Sequence, residues 1–293
     1  MSKKVFVIIN PVSGKPEPIL HTLNKIFTST NIQWDVGITS PNNLNQLIQR
    51  ANEFKADILA VYGGDGTISA VCKENDHPER PFAILPGGTA NVLSQDLSIP
   101  QNLEEACKLL VSKDSIIRTI DCAQANDTFF FTRLGWGLEA KMIENTSREM
   151  KNKVGNFAYA ISAIKALFKS DKLKFQLNID GKKIKKNGSA CIIANSGNLG
   201  KANLHIHPVV IDDGLLDVFI FRDSNIEALI GTAANVLSQA EIPGIDHWQG
   251  KNIEISCKPQ TTVQCDGEVM GKENVKISIL EKSSKFITPK VVE

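Results

Sequence analysis

The segment Ile58–Val71, ILAVYGGDGTISAV, constrains the fold more than any other. An apolar run stops at Gly63-Gly64-Asp65-Gly66-Thr67, and a helical pattern follows at once. A short continuous apolar run suits a strand buried on both faces, and glycines let the backbone turn sharply with no Cβ in the way. The order strand, loop, helix recurs on either side. Strands are expected at Val5–Asn10, Ile32–Thr39, Asp57–Tyr62 and within FAILP, and helices at Ile19–Phe27 and Thr67–Lys73. Ser40 before Pro41 reads as the N-cap of a further helix carrying Leu44, Leu47, Ile48 and Ala51. This alternation predicts a Rossmann-like α/β domain, a mostly parallel sheet with helices on both faces.

The texture changes near Ala123–Asp127, which we take as a domain boundary. Strands are expected at Ile116–Asn126, Thr128–Leu134, in LKFQLNID, IKKNG and SACIIAN around a turn at Asp180-Gly181, and in LLDVFIFR, NIEISC, TTVQC and VKISIL. Helical patterns interrupt them at Asn156–Phe168 and Ile226–Gln239. Strands in succession predict a mostly antiparallel sandwich over 126–293, after a nucleotide-binding domain over 1–125. The last residues are expected to pack back on the first domain. A cleft between two domains is the default place for a ligand.

With 42% apolar and 22% charged residues the chain has the composition of a soluble globular protein, and a net charge of +1 gives nucleic acid no electrostatic claim on it. The start, MSKKVFVIIN, lacks a signal-peptide pattern, and no apolar run approaches the ~18 residues of a spanning helix. Six cysteines without CxxC spacing read as reduced core thiols of a cytoplasmic protein.

Three loops carry the chemistry: Asn10-Pro11-Val12-Ser13-Gly14-Lys15, Gly63–Thr67, and Pro86-Gly87-Gly88-Thr89. In a parallel sheet all three fall on one edge, where helix N-termini offer unpaired N–H groups to anions. That pattern points to nucleotide phosphates. Ser13-Gly14-Lys15 is not a Walker loop, since the opening glycine is absent and Pro16 stands at the magnesium-binding hydroxyl position. Gly135-Trp136-Gly137-Leu138-Glu139-Ala140 has dinucleotide-loop spacing but lies outside the first βα unit.

NPVSGK, YGGDGT and LPGGTANVL, in this order, resemble the diacylglycerol kinase catalytic domain, a family that includes sphingosine kinases and bacterial lipid kinases and is related to NAD kinases. The resemblance continues through KNKVGNFAYAISAIKAL, HPVVIDDGLLDVFIF and CDGEVMG. It implies transfer of the γ-phosphoryl group of ATP to a lipid hydroxyl, with Mg²⁺, at a membrane surface, and leaves a homodimer open. By resemblance Asn10, Pro11, Val12, Ser13, Gly14, Thr39, Gly63, Gly64, Gly66, Thr67, Gly88 and Thr89 hold the nucleotide, and Asp65 reaches its Mg²⁺. Glu268 is then the proton acceptor, with Asp266 supporting it or the metal, although Asp266-Gly267 is equally a hairpin turn signal. Asp213 with the carbonyls of Val210 and Leu215 would hold a structural Mg²⁺. His205 and His207 share a strand face, but no further zinc ligand accompanies them.

Val92, Glu139 and the stretch GNLGKANLHIHP depart from the family pattern on the acceptor side, which bears on the identity of the lipid. From Lys141 to Lys186 twelve Lys/Arg face four Asp/Glu, and the helical face Phe157, Ala160, Ile161, Ile164 and Phe168 with Lys182, Lys183, Lys185 and Lys186 suggests contact with anionic lipid. An NAD kinase and a catalytically silent nucleotide or lipid binder are the rival readings.

Overall fold

The computed structural model describes residues 2–14, 17–137, 172–197, 209–222, 244–272 and 274–290. The expected helices at 156–168 and 226–239, Glu139, His205, His207 and the 141–171 part of the basic stretch lie outside them. The chain divides into two compact units, Met1–Cys122 with Glu281–Glu293, and Ala123–Leu280.

In the first unit the strands β1 (Lys3–Ile9), β2 (Ile32–Ile38), β3 (Ile58–Gly63) and β4 (Phe82–Pro86) pair in parallel in the order β2-β1-β3-β4. Five consecutive residues of β1, Val5 to Ile9, and all of β3 are buried, as a sheet covered on both faces requires. The connecting helices are α1 (Ile19–Thr28), α2 (Leu44–Glu53) and α3 (Asp65–Glu74), followed by the short α4 (Val92–Asp96) and by α5 (Leu103–Leu109). α1 packs against α5 and α2 against α3, the two-sided arrangement that right-handed crossovers from this strand order produce. The α2 expectation needs correction: the helix starts at Leu44, not at Pro41. Asn42 takes φ +69, which no helix accommodates, and the Asn43 side chain closes the turn by accepting from the Ser40 N–H at 2.8 Å. α5 was not expected; Asn102 caps it, its side chain accepting from the Glu105 N–H at 3.2 Å.

The second unit is a sandwich of two sheets. The 15-residue β16 (Val275–Pro289) begins here, and its first residues pair antiparallel with β13 (Asn252–Lys258), which continues to β8 (Leu173–Ile179) and the edge strand β9 (Lys182–Gly188). The other sheet runs β12 (Ile245–Gly250), β11 (Leu216–Phe221), β10 (Ala190–Ala194), β7 (Arg133–Trp136), β14 (Val263–Cys265), β15 (Glu268–Gly271), every pair antiparallel. Their inner faces share one core, with Phe175, Leu177, Ile253 and Ile277 from the first sheet and Trp136, Ile193, Val218 and Val263 from the second. A hairpin of β5 (Ser115–Ala125) and β6 (Thr128–Phe130) adds Ala123, Ala125 and Phe130. The single strand expected over Thr128–Leu134 is broken at Phe131-Thr132, for a reason given below.

Among the described residues no helix is long and apolar enough to cross a membrane. All six cysteines are free thiols, and burial pushes Cys107 up to about 12, with Cys72, Cys191 and Cys257 also raised by burial. These thiols stay protonated and unreactive at neutral pH.

Candidate active site

In the first unit the three loops meet. β1 delivers Asn10, whose backbone N–H donates to the Tyr62 carbonyl at 2.9 Å while its side-chain amide donates to Thr67 Oγ1 at 2.8 Å. The same side chain accepts from the Val12 N–H at 3.2 Å, so one residue ties the first loop to the second. Gly87 N–H donates to the Gly63 carbonyl at 2.9 Å, tying the third loop to the second. The glycines are needed for this approach. A Cβ on Gly14, which has φ +80, would stand 2.0 Å from the Gly87 carbonyl oxygen, and one on Gly88 would stand 2.5 Å from Gly64 Cα. Thr39 N–H donates to the Ile9 carbonyl at 2.8 Å, which sets Thr39 beside Asn10. Pro11, Val12, Gly14, Gly66 and Thr89 are exposed, and Gly64, Thr67 and Gly88 half-buried.

α3 starts at Asp65, two residues ahead of the expected Thr67, because Gly64 adopts the extended backbone of an N-cap. Its first turn therefore consists of Asp65, Gly66 and Thr67, and the positive end of the helix dipole lies at the second of the three loops. Asp65 itself turns sideways. Its two oxygens accept the N–H groups of Val92 and Leu93, each at 3.0 Å, and so hold the start of α4. A carboxylate oxygen carries two lone pairs, so these bonds are compatible with a hard cation on the same group. Asn91, at φ +51, accepts from the Gly88 N–H at 2.8 Å and fixes the third loop.

In the second unit Asp266 and Gly267 take φ +47 and +90 and form a two-residue turn between β14 and β15, with Cys265 opposite Glu268. Glu268, first residue of β15, is exposed. Asp266 accepts from four donors: the N–H groups of Phe131 at 3.1 Å, Thr132 at 3.1 Å and Arg133 at 2.9 Å, and the Thr132 hydroxyl. Its own N–H donates to the Arg133 carbonyl at 3.0 Å. This explains the broken strand, since donors of a β-ladder are diverted to one carboxylate. Asn195, fully buried, extends the clamp by donating from its side chain to the Phe131 carbonyl at 2.9 Å.

Asp213 lies in the turn before β11, where its side chain accepts from the Leu215 N–H at 3.0 Å and Gly214 takes φ +75. Val210 is 43% exposed. The expected ligands, the Asp213 carboxylate and the carbonyls of Val210 and Leu215, are all oxygen donors, the chemistry that magnesium accepts. Among the described residues no three His, Cys, Asp or Glu side chains cluster as a metal site, so carbonyls would supply the remaining ligands.

Two family patterns match the chain in tandem: "Diacylglycerol kinase catalytic domain" over residues 4–125, and "YegS C-terminal NAD kinase beta sandwich-like domain" over 133–288. The chain belongs to the diacylglycerol kinase and YegS-like lipid kinase family. A Staphylococcus epidermidis relative named "Putative lipid kinase" is 30% identical over 237 residues, 79% of this chain and 76% of that protein. The solved structure of a diacylglycerol kinase from Bacillus anthracis str. Sterne gives a TM-score of 0.75 at 26% identity, covering 98% of this chain and 97% of that one. Membership in a kinase family implies nucleotide use. For this family member the departure at Val92 is harmless to the Asp65 bond, because the backbone N–H makes it whatever the side chain. Sequence reading missed Asn91, Thr132 and Asn195. The signal for Asn91 was an Asn three residues beyond the glycine pair; Thr132 and Asn195 left none.

Proposed function

We propose that this chain is an ATP-dependent lipid kinase that phosphorylates the free hydroxyl of diacylglycerol to give phosphatidic acid, with residues 1–125 binding nucleotide and 126–293 serving the lipid. The observation that carries the reading is the meeting of three glycine loops around the N-terminus of α3, where glycine backbone and the positive helix end suit phosphate oxygens. Asn10, Pro11, Val12, Ser13, Gly14, Thr39, Gly63, Gly64, Gly66, Thr67, Gly88 and Thr89 hold the phosphates and the adjoining nucleoside. Mg²⁺, when bound, would neutralise charge on the phosphates, with Asp65 as the carboxylate that would hold it, and Asp213 with the carbonyls of Val210 and Leu215 would hold a second, structural Mg²⁺. The acceptor oxygen forms a P–O bond as the bond to the β-phosphate breaks. ADP departs, and the hydroxyl proton passes to the Glu268 carboxylate. Asp266 is a positioning residue: it fixes the turn from which Glu268 projects.

The test is phosphorylation by labelled ATP of diacylglycerol in neutral detergent micelles, with NAD as the competing acceptor. Glu268→Gln is expected to lower turnover by about 10²–10⁴-fold and leave nucleotide binding unchanged. Label in NAD alone would replace the lipid reading by an NAD kinase. Nucleotide binding with no product would make the chain a binder, and full turnover by the variant would remove Glu268 as the base.

A further inference from the structure

The lysine-rich hairpin does not present one continuous basic surface. β9 is an edge strand, so its side chains alternate between faces. Lys186 turns toward the core side, 3.2 Å from Asp246 and 5.7 Å from the centre of the Trp248 ring. Lys183 and Lys185 point the other way, outward. On that outer face the strand register lines up further side chains. Lys183 stands opposite Asn178, Asn178 opposite Glu254, and Glu254 opposite Lys276. Lys185 stands opposite Gln176, and Gln176 opposite Ser256. Asn187 stands opposite Lys174, and Lys174 opposite Lys258.

We propose that this outer face of β9, β8, β13 and the start of β16 docks on an anionic lipid bilayer, a proposal that rests on the lipid being the substrate. Three features support it. Lysines that only guard a sheet edge belong on the edge strand, yet Lys174, Lys258 and Lys276 stand on interior strands. Lys174 and Lys258 are direct cross-strand neighbours, a like-charge pair that is unfavourable within the sheet and is relieved by an anionic partner. The face holds five lysines and one carboxylate, Glu254, which is paired with Lys276 at 3.3 Å; Asp180 at its rim accepts the N–H groups of Lys251 and Asn252. A whole-chain charge of +1 makes this a local segregation of charge. The side chains between the lysines are Asn, Gln and Ser, with no aromatic ring for base stacking.

Binding is measured without nucleotide, by co-sedimentation with phosphatidylglycerol-containing and pure phosphatidylcholine vesicles at low salt. Each lysine at an anionic surface contributes about a fivefold gain in partition, so the triple variant Lys174→Gln, Lys185→Gln, Lys258→Gln should lose on the order of a hundredfold on anionic vesicles. Its thermal midpoint and its turnover on micellar diacylglycerol should match wild type, since none of the three lies in the proposed active site. Undiminished binding by the variant, equal wild-type binding to both vesicle types, or no vesicle binding at all overturns the proposal. So does displacement of the protein from vesicles by single-stranded nucleic acid but not by salt. If diacylglycerol is not a substrate even in micelles, the functional reading fails while the sedimentation result still stands on its own.

Discussion

In the first unit Asp65 receives the N–H groups of Val92 and Leu93, one on each oxygen, whereas in the second Asp266 receives those of Phe131, Thr132 and Arg133 together with a hydroxyl. Asp65, half-buried at the start of α3, secures a short helix whose later turn has its own bonds. Asp266 secures a stretch of chain in which Phe131 and Thr132 are 1% and 2% exposed. Buried N–H groups with no acceptor cost far more than ones that water can reach. The two carboxylates therefore look alike in sequence, each beside glycine, yet one secures the start of a short helix and the other holds a core segment in place.

Substitutions at the two aspartates put this contrast to the test. Asp266→Ala should have the largest effect, a loss of roughly 3 kcal/mol or more in denaturant unfolding, because several buried donors lose one acceptor. Asp266→Asn retains one acceptor oxygen, and its turnover should fall while nucleotide affinity holds; equal loss of both would mean that Asp266 does more than position Glu268. Asp65→Ala should cost less stability, about 1–2 kcal/mol, and show itself mainly as weaker nucleotide binding by calorimetry. An Asp65→Ala protein less stable than Asp266→Ala would reverse the comparison.

The smallest effect belongs to a third aspartate in a glycine turn, Asp180, at φ +48. The Lys251 N–H first, then that of Asn252, holds its carboxyl below the usual range. A depressed folded-state pKa contributes stability above the unfolded value, and that contribution is lost as pH falls through the folded one. Asp180 is nearly fully exposed, so Asp180→Asn should cost about half a kcal/mol or less near neutral pH. The difference between the two proteins should close in acid, and a gap that widens there would contradict the assignment.

Much of the first unit was legible in the sequence because each of its features is local. Apolar runs, glycines and helical spacing set β1 to β4 and the three loops, and the parallel arrangement follows from the alternation. The errors there were also local: Asn42 in the left-handed region displaced the start of α2, and a cap at Asn102 went unnoticed. The second unit was less legible because its decisive contacts join distant positions. Asp266 breaks the strand expected at Thr128–Leu134 from 135 residues away in the case of Phe131, and no window of sequence contains both partners. β12 and β15 were missed as well, β15 because four residues are too few for a period to stand out from its turns. The lysine run of the hairpin was read as one element of a surface for anionic lipid, and the strand sends its alternate residues to opposite faces.

β16 begins in one unit and ends in the other: Phe286 is fully buried beside β4, 5.6 Å from the Phe82 ring, and Lys290 N–H donates to the Asp114 carbonyl at 3.1 Å. During synthesis the ribosome reaches this segment only after the entire sandwich has been translated. The first unit's sheet therefore keeps one position unfilled until the second part of β16 has been made. A product cut short before β16 would carry every glycine loop and still lack the strand that pairs in parallel beside β4.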